Sequence, residues 1–488
     1  MTEIQAVGTF AGLLLGAVAV GEGLRVTGWS GEATRRTVHG LVGLTTAAAP
    51  LWFDRPRGIA LLAALFVLAN GAALGRGWLR SVHGVRRRSW GTATFPLALL
   101  IALPLCWTPS GDRVVVLQAA FVVLALADPA AAWAGSRARR GGRYRVGNGE
   151  KSAIGSLVFA VIAWVSLVGA LGWGGERLDG GLLEGAAVVA ALAPVAEGLG
   201  TRGWDNLWIV LAIVVGGAWL VASPEAVNLG VLAVGGAAAF AFAAVRAGAL
   251  DVSGGLAASL FAWALVVLGG VAWAVPALAF FVLSSGWSAV GKRTKAVAES
   301  RSEKGSRRDA GQVMANGGVA LGLLAATVFA PSEALYPAFV AAFAAAAADT
   351  WGTEVGTLVG GQTRRLGVGR QVPPGTSGGV SGAGTAGALA GAASVVVPAA
   401  WLSPSLGVTA GAALVGVGVA AAFVDTALGA TVQARYRLPD GALTERAEAG
   451  GVPLPLAAGV RGIGNDAVNW GCTAAGAIGG ALVGVGLG

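Results

Sequence analysis

Four carboxylates stand where apolar runs end in the C-terminal half of this 488-residue chain: Asp349 and Glu354 in AADTWGTEVGT, Asp425 in FVDTALGAT and Asp466 in RGIGNDAVNW. An unpaired charge at membrane depth costs roughly 3 kcal/mol on insertion scales, so acids in such places are functional candidates by default. Magnesium is their natural partner, because it takes one or two carboxylates and completes its shell with phosphate oxygens and water. The four acids are therefore expected to hold one or two Mg2+ ions against a nucleoside triphosphate. On an unbroken helix Asp349 and Glu354 would lie roughly 140° apart. Sharing a ligand requires a break, for which Gly352 and Gly356 offer the means.

The stretch PPGTSGGVSGAGT follows these acids. Its Gly375, Thr376, Ser377, Gly378, Gly379 and Ser381 offer close backbone approach and small hydroxyls, so that amides can ring a phosphate. Arg364, Arg365 and Arg370 lie upstream, and Lys304, Arg307 and Arg308 occupy an earlier loop. Asn316, Asn465 and Asn469 fall at the same ends of the apolar runs. Taken alone, a small-residue run is also what a close helix interface looks like. Four acids and three arginines at the same face tip the balance towards phosphate.

The N-terminal half carries a looser set. GEATRRTVHGLVGL places Arg35, Arg36 and His39 at a helix entrance, where a histidine is more often interfacial than catalytic. Asp128 ends an apolar run, a Gly- and Arg-rich loop follows through Asn148, and Lys151-Ser152 opens the next helix. Helix N-terminal amides beside a lysine favour an anion such as phosphate. The Walker pattern fails, because Glu150 stands where glycine should precede the lysine. Glu197, Asp205 and Asn206 follow in AEGLGTRGWDNL. The bland alternative for such loops is a cytoplasmic anchor.

The elements that must carry these residues are apolar. Hydrophobic residues make up 55% of the chain and charged ones 12%, about half the charged share of soluble domains, and the mean hydropathy is +0.71. Runs near 4 to 24, 38 to 53, 58 to 75, 92 to 108, 113 to 135, 152 to 173, 181 to 199 and 207 to 222 are each long enough to approach or cross about 30 Å of hydrocarbon. A second set lies near 228 to 247, 255 to 270, 271 to 291, 312 to 330, 334 to 350, 380 to 400, 406 to 430 and 467 to 487. The expected fold is all-α, a polytopic transmembrane helical bundle of about 14 to 16 spans. A break at Ser223-Pro224-Glu225 divides it into halves 1–224 and 225–488 without a sequence repeat. The 80 glycines suit closely packed helices. Cys106 and Cys472 support neither a disulfide framework nor a thiolate metal site. The basic residues behind the net charge of +9 sit in alternate short loops without interleaved aromatics, which argues for topology and against nucleic acid. The positive-inside rule puts those loops in the cytoplasm and both termini outside. The expected setting is a prokaryotic cell membrane with sites at the cytoplasmic face.

In the order of its motifs, residues 20 to 215 resemble the membrane-bound phytol and dolichol kinase family. The resemblance rests on Arg35-Arg36-x-x-His39, Arg87 to Thr92, Asp128 with Gly135, Gly147-Asn148 followed by Lys151-Ser152 and Gly155-Ser156, and Glu197 with Asp205-Asn206. That family phosphorylates long isoprenoid alcohols with CTP. Its second acid, four residues after the first, is Ala132 here, and its Trp-Glu after Lys-Ser is Ala153-Ile154. Residues 225 to 488 resemble the membrane proteins that include plant phytyl-phosphate kinase. The matching blocks are Arg307 to Val313 with Ala315-Asn316-Gly317, Ala348 to Glu354, Gly375 to Ser381, Asp425 with Gly429-Ala430-x-x-Gln433, and Asn465-Asp466-x-x-Asn469. The two resemblances imply consecutive steps: an isoprenoid alcohol such as phytol becomes the monophosphate, then the diphosphate, at the expense of CTP or another nucleoside triphosphate with Mg2+. His39, Asp128 and Lys151 would serve the first reaction, with Asp128 also touching metal. The competing classes are a secondary transporter using intramembrane acids and a CTP-dependent cytidylyltransferase.

Overall fold

The computed structural model describes residues 2–76, 90–108, 113–137, 142–146, 149–200, 203–290, 307–367 and 369–486. Asn148, Lys304 and the first residues of the Arg87 to Thr92 motif lie outside that set. The chain forms two compact units, Met1–Gly235 and Gly236–Gly488. The boundary falls eleven residues beyond the Ser223-Pro224-Glu225 break, inside a continuous helix.

The first unit contains α1 (Glu3–Val26), α2 (Gly31–Ala47), α3 (Arg57–Arg76), α4 (Gly91–Cys106), α5 (Val114–Ser136), α6 (Ala153–Trp173), α7 (Gly180–Leu199), α8 (Asp205–Ala222) and the start of α9 (Val227–Arg246). A hairpin of β1 (Arg143–Val146) and β2 (Gly149–Ser152) joins α5 to α6. Helix α5 is the core, packed against α2, α6 and α8, with Val116, Phe121, Leu124 and Ala127 fully buried. Gly43 lets α2 approach it; a Cβ there would come within 2.7 Å of Ala125.

The second unit continues with α10 (Val252–Ala264), α11 (Gly270–Ala289), α12 (Ala310–Phe329), α13 (Leu335–Val359), α14 (Gly382–Leu402), α15 (Gly407–Thr431) and α16 (Asn465–Val485). A π turn over Leu265–Gly269 joins α10 to α11, with Gly270 in the left-handed region at φ 67°. This is where the sequence separates two adjacent runs. Short strands fill the loops: β3 (Thr363–Arg365), β4 (Gln371–Val372) and β5 (Gly379–Val380) form a sheet in the order β4-β3-β5. After α15 come β6 (Arg435–Arg437), β7 (Leu443–Thr444), β8 (Glu448–Ala449), β9 (Val452–Pro453) and β10 (Leu456–Ala458), giving the sheet β10-β6-β7 and the pair β8-β9.

Helix α13 is the axis of this unit. Every residue from Pro337 to Ala348 is buried, and α11, α12, α14, α15 and α16 all pack on it. A helix that is apolar all round belongs inside, and its alanines let five neighbours come close. Those neighbours answer with glycine: a Cβ on Gly391, Gly476 or Gly480 would meet an α13 carbonyl at 2.5 to 2.7 Å. Phe339 and Phe343 supply the bulk, with ring centroids 5.1 Å apart, an edge contact to Phe261 and tilted contacts to Phe280 and Trp273.

All sixteen apolar runs are helices. Eleven helical stretches among the described residues are long and apolar enough to cross a membrane, the 38-residue Val252–Ala289 counting once for α10 and α11. The chain is thus a polytopic helical bundle.

Candidate functional site

In the first unit, α5 and α7 run towards the end of the bundle from which α2, α6 and α8 start. Their charged residues therefore meet there. Lys151 of β2 forms an ion pair with Glu197 of α7 and reaches the Glu197 carbonyl at 3.4 Å. Burial works against the Lys151 ammonium, but the Glu197 carboxylate, helped by Asp205 and Asp128, more than offsets it and holds its pKa above the ordinary lysine value. His39 Nε2 lies 3.3 Å from the Leu124 carbonyl and 3.9 Å from Asp128 Oδ2, its ring edge-on to Phe95. Arg35 and Arg36 both grip Glu32 at 3.0 Å, an acid the motifs did not single out, while remaining in electrostatic range of Asp128. Asp205 opens α8, and Asn206 donates to the Gly91 carbonyl at 3.1 Å, which makes Asn206 a brace between α8 and α4.

Beside the Lys151–Glu197 pair lies a cavity of about 280 Å3, lined by Ala132, Gly135, Arg143, Glu150, Ser152 and Glu197 among others. Ser152 caps α6 by accepting from the Gly155 amide at 3.1 Å. The hairpin is pinned by Tyr144 to Ser156 at 2.7 Å, and Arg143 holds Glu150 at 3.2 Å. Ala132, where the resemblance expects an acid, faces this space, while Glu150 and Glu197 bring carboxylates to it.

In the second unit, Asp349 of α13 and Asp425 of α15 meet side chain to side chain within hydrogen-bonding range. Two carboxyls in contact need something positive between them, a shared proton or a cation. The Oδ2 atom of Asp425 is buried without a hydrogen-bond partner, so a ligand atom is available, and the pair fits the one or two carboxylates that Mg2+ prefers. Cys472 of α16 packs alongside, its thiol directed at the Ala345 carbonyl at 3.8 Å.

Glu354 does not join the pair. Helix α13 continues unbroken through Gly352 and Gly356, so the angular separation stands, and these glycines instead receive the α14 backbone at Gly384. Glu354 accepts from Ser288 Oγ at 2.7 Å and faces the Arg308 guanidinium. Asp466 lies in the first turn of α16. Among the described residues no three His, Cys, Asp or Glu side chains cluster for a metal. Of the four acids expected to act together, the described contacts join Asp349 and Asp425, and the intact helix turns Glu354 to another side. Asp349 also sits ten residues before the end of α13, about 15 Å along the axis.

The small-residue stretch divides its labour. Gly384 and Gly391 make the α13–α14 interface, whereas residues 375–381 form a loop over the last turn of α15. Gly375 and Gly378 have φ of 78° and 81°, Thr376 Oγ1 bonds the Pro373 carbonyl at 2.7 Å, and Gly379 enters β5. Ser377 Oγ donates to Gln433 Oε1 at 2.6 Å, and Ser381 caps α14. Arg364 pairs within the β3 sheet, and exposed Arg307 lies near Gly248. Asn316 is turned onto its own helix, donating to the Gln312 carbonyl at 2.9 Å, while Asn465 begins α16 and Asn469 is buried in it. The residue the motifs passed over is Arg435, buried two positions after Gln433. Gln433 lies in the bend that follows α15 and Arg435 begins β6, so no strand or helix period in the sequence pairs them.

Bundle and composition together define an integral membrane protein. Residues 235–477, nearly the whole second unit, match the family described as integral membrane protein DUF92. The chain is also 30% identical over 164 residues to Protein PGR of Arabidopsis thaliana, covering 31% of this chain and 57% of that protein. It thus spans little more than half the length of that relative. No solved structure matches it.

Proposed function

We propose that the chain is a two-step lipid kinase. The first unit phosphorylates a long isoprenoid alcohol such as phytol or geranylgeraniol, and the second converts the monophosphate to the diphosphate, with CTP or another nucleoside triphosphate as donor. The lipid tail lies among the apolar helices and the head meets the nucleotide at the cytoplasmic face of a prokaryotic membrane. The observation that carries this proposal is the contact of Asp349 with Asp425 beside a small-residue loop, an arrangement suited to a metal-bound polyphosphate.

In the first step the alcohol oxygen attacks the γ-phosphorus, the bond to the β–γ bridging oxygen breaks, and Asp128, steadied by His39, accepts the hydroxyl proton. Lys151, once its hold on Glu197 loosens, neutralises phosphate charge from the edge of the cavity. In the second step the acceptor is already an anionic oxygen, so the work is positioning and charge neutralisation. Asp349 and Asp425 would hold Mg2+, which would supply neutralisation of the phosphate charge.

The depth of Asp349 along α13 favours one further reading, a secondary transporter with its acids inside the bilayer. One experiment separates the two. The purified protein is given phytol or phytyl phosphate, Mg2+ and each nucleotide, and lipid phosphates and released nucleotide are measured. Phytyl mono- and diphosphate with a nucleoside diphosphate are expected; pyrophosphate release would indicate a cytidylyltransferase. Solute or proton flux in nucleotide-free liposomes, with no phosphorylated lipid, would overturn the kinase.

A further inference from the structure

The C-terminal end of α15 is held by more positive charge than a helix end needs. Arg365 of β3 donates to the Ala430 carbonyl at 2.6 Å, and Arg435 of β6 donates to the same oxygen at 3.3 Å. One guanidinium suffices to cap a terminal carbonyl. Two on one neutral acceptor repel each other, and the nearby acid that acts on Arg435 is Glu445, itself in range of Asp425.

Next to them are buried donors without acceptors. Gln433 is 1% exposed and gives its oxygen to Ser377, leaving Nε2 without a hydrogen-bond partner; Arg435 is 7% exposed and its Nε has none either. Buried donors are normally satisfied, and an exception calls for an explanation such as an ion. The loop of residues 375–381 covers this spot closely enough that a Cβ on Gly378 would come 2.6 Å from Ala430 Cβ. Guanidinium and amide donors converging in a sealed place suit the oxygens of a phosphate, which guanidinium recognises through parallel hydrogen bonds.

We propose that Arg365, Arg435 and Gln433 form a phosphate subsite that receives the phosphate already carried by the lipid acceptor. This rests on the second-step kinase reading. The acceptor enters as Ser377 releases Gln433, and its phosphate draws the two guanidiniums from Ala430 towards itself. Arg435 is then the residue that distinguishes the lipid monophosphate from the free alcohol.

The test uses the full-length protein in nanodiscs, with binding of phytyl phosphate, phytol, CTP and inorganic phosphate each measured alone. For R435Q and, separately, Q433E, which places a carboxylate among the donors, affinity for phytyl phosphate should fall at least tenfold. Affinity for phytol and CTP should change less than twofold, and R435K should recover part of the loss. Arg365 remains to cap α15, and an unchanged melting temperature and unchanged CTP binding report an intact fold. Equal losses for phytol and phytyl phosphate, or no loss, overturn the subsite; a selective loss of CTP binding assigns these residues to the nucleotide and overturns it as well. The kinase reading fails separately, if wild-type protein binds phytyl phosphate but never converts it. Turnover by R435Q with an unchanged KM for phytyl phosphate would leave the kinase standing and remove the subsite.

Discussion

In the proposed second reaction Asp349 and Asp425 are the residues that would hold the metal. Replacing either with asparagine keeps shape and removes a charge, and should slow diphosphate formation on the order of 100-fold while monophosphate accumulates, as read by mass spectrometry of the lipid products. Lys151 carries a different prediction. Its pKa is raised because Glu197 outweighs burial, and a lysine whose folded pKa exceeds its unfolded one contributes stability that is full below the unfolded value and lost as pH rises through the folded value. Melting temperature should therefore fall on the alkaline side of the ordinary lysine range, and K151M should flatten that fall. K151M also leaves Glu197 buried without its partner, a loss of about 3 kcal/mol, which K151M/E197Q should recover in part. The acids were legible from sequence because charge at the end of an apolar run is conspicuous. Their pairing was not: Asp349 meets Asp425, 76 positions away, while Glu354, five away, turns to Ser288.

Helix α13 shows how little bulk a central element needs when its neighbours supply glycine. G391V places a side chain against the Ala347 carbonyl, where even a Cβ comes to 2.5 Å, and should cost about 1–3 kcal/mol. G416V, on α15 with nothing within 4 Å, should shift stability by no more than about 0.5 kcal/mol; the two melting temperatures make the comparison. Helix positions followed from apolar run length, and each of the sixteen runs became a helix. The unbroken course of α13 through Gly352 did not follow. Glycine permits a break but equally permits the close approach of α14, and only the presence of a neighbour decides between these uses.

Two compact units within one chain make a clean functional separation testable. K151M should still convert added phytyl phosphate to the diphosphate, and D349N should still make phytyl phosphate from phytol. Mixing the two variants in one membrane should restore the complete sequence, measured as diphosphate formed from phytol; loss of both steps in either single variant would refute independent sites. For the molecule as a whole, composition by itself settled the membrane setting and the all-helical class, since a backbone in hydrocarbon must satisfy its own hydrogen bonds. The residue kinds at the helix ends were also written there. What the tertiary structure alone decided is which of them touch: a helix fixes the angle between neighbours in sequence, but contacts between separate helices depend on packing, and packing brought Asp425 to Asp349 and Arg435 to Arg365.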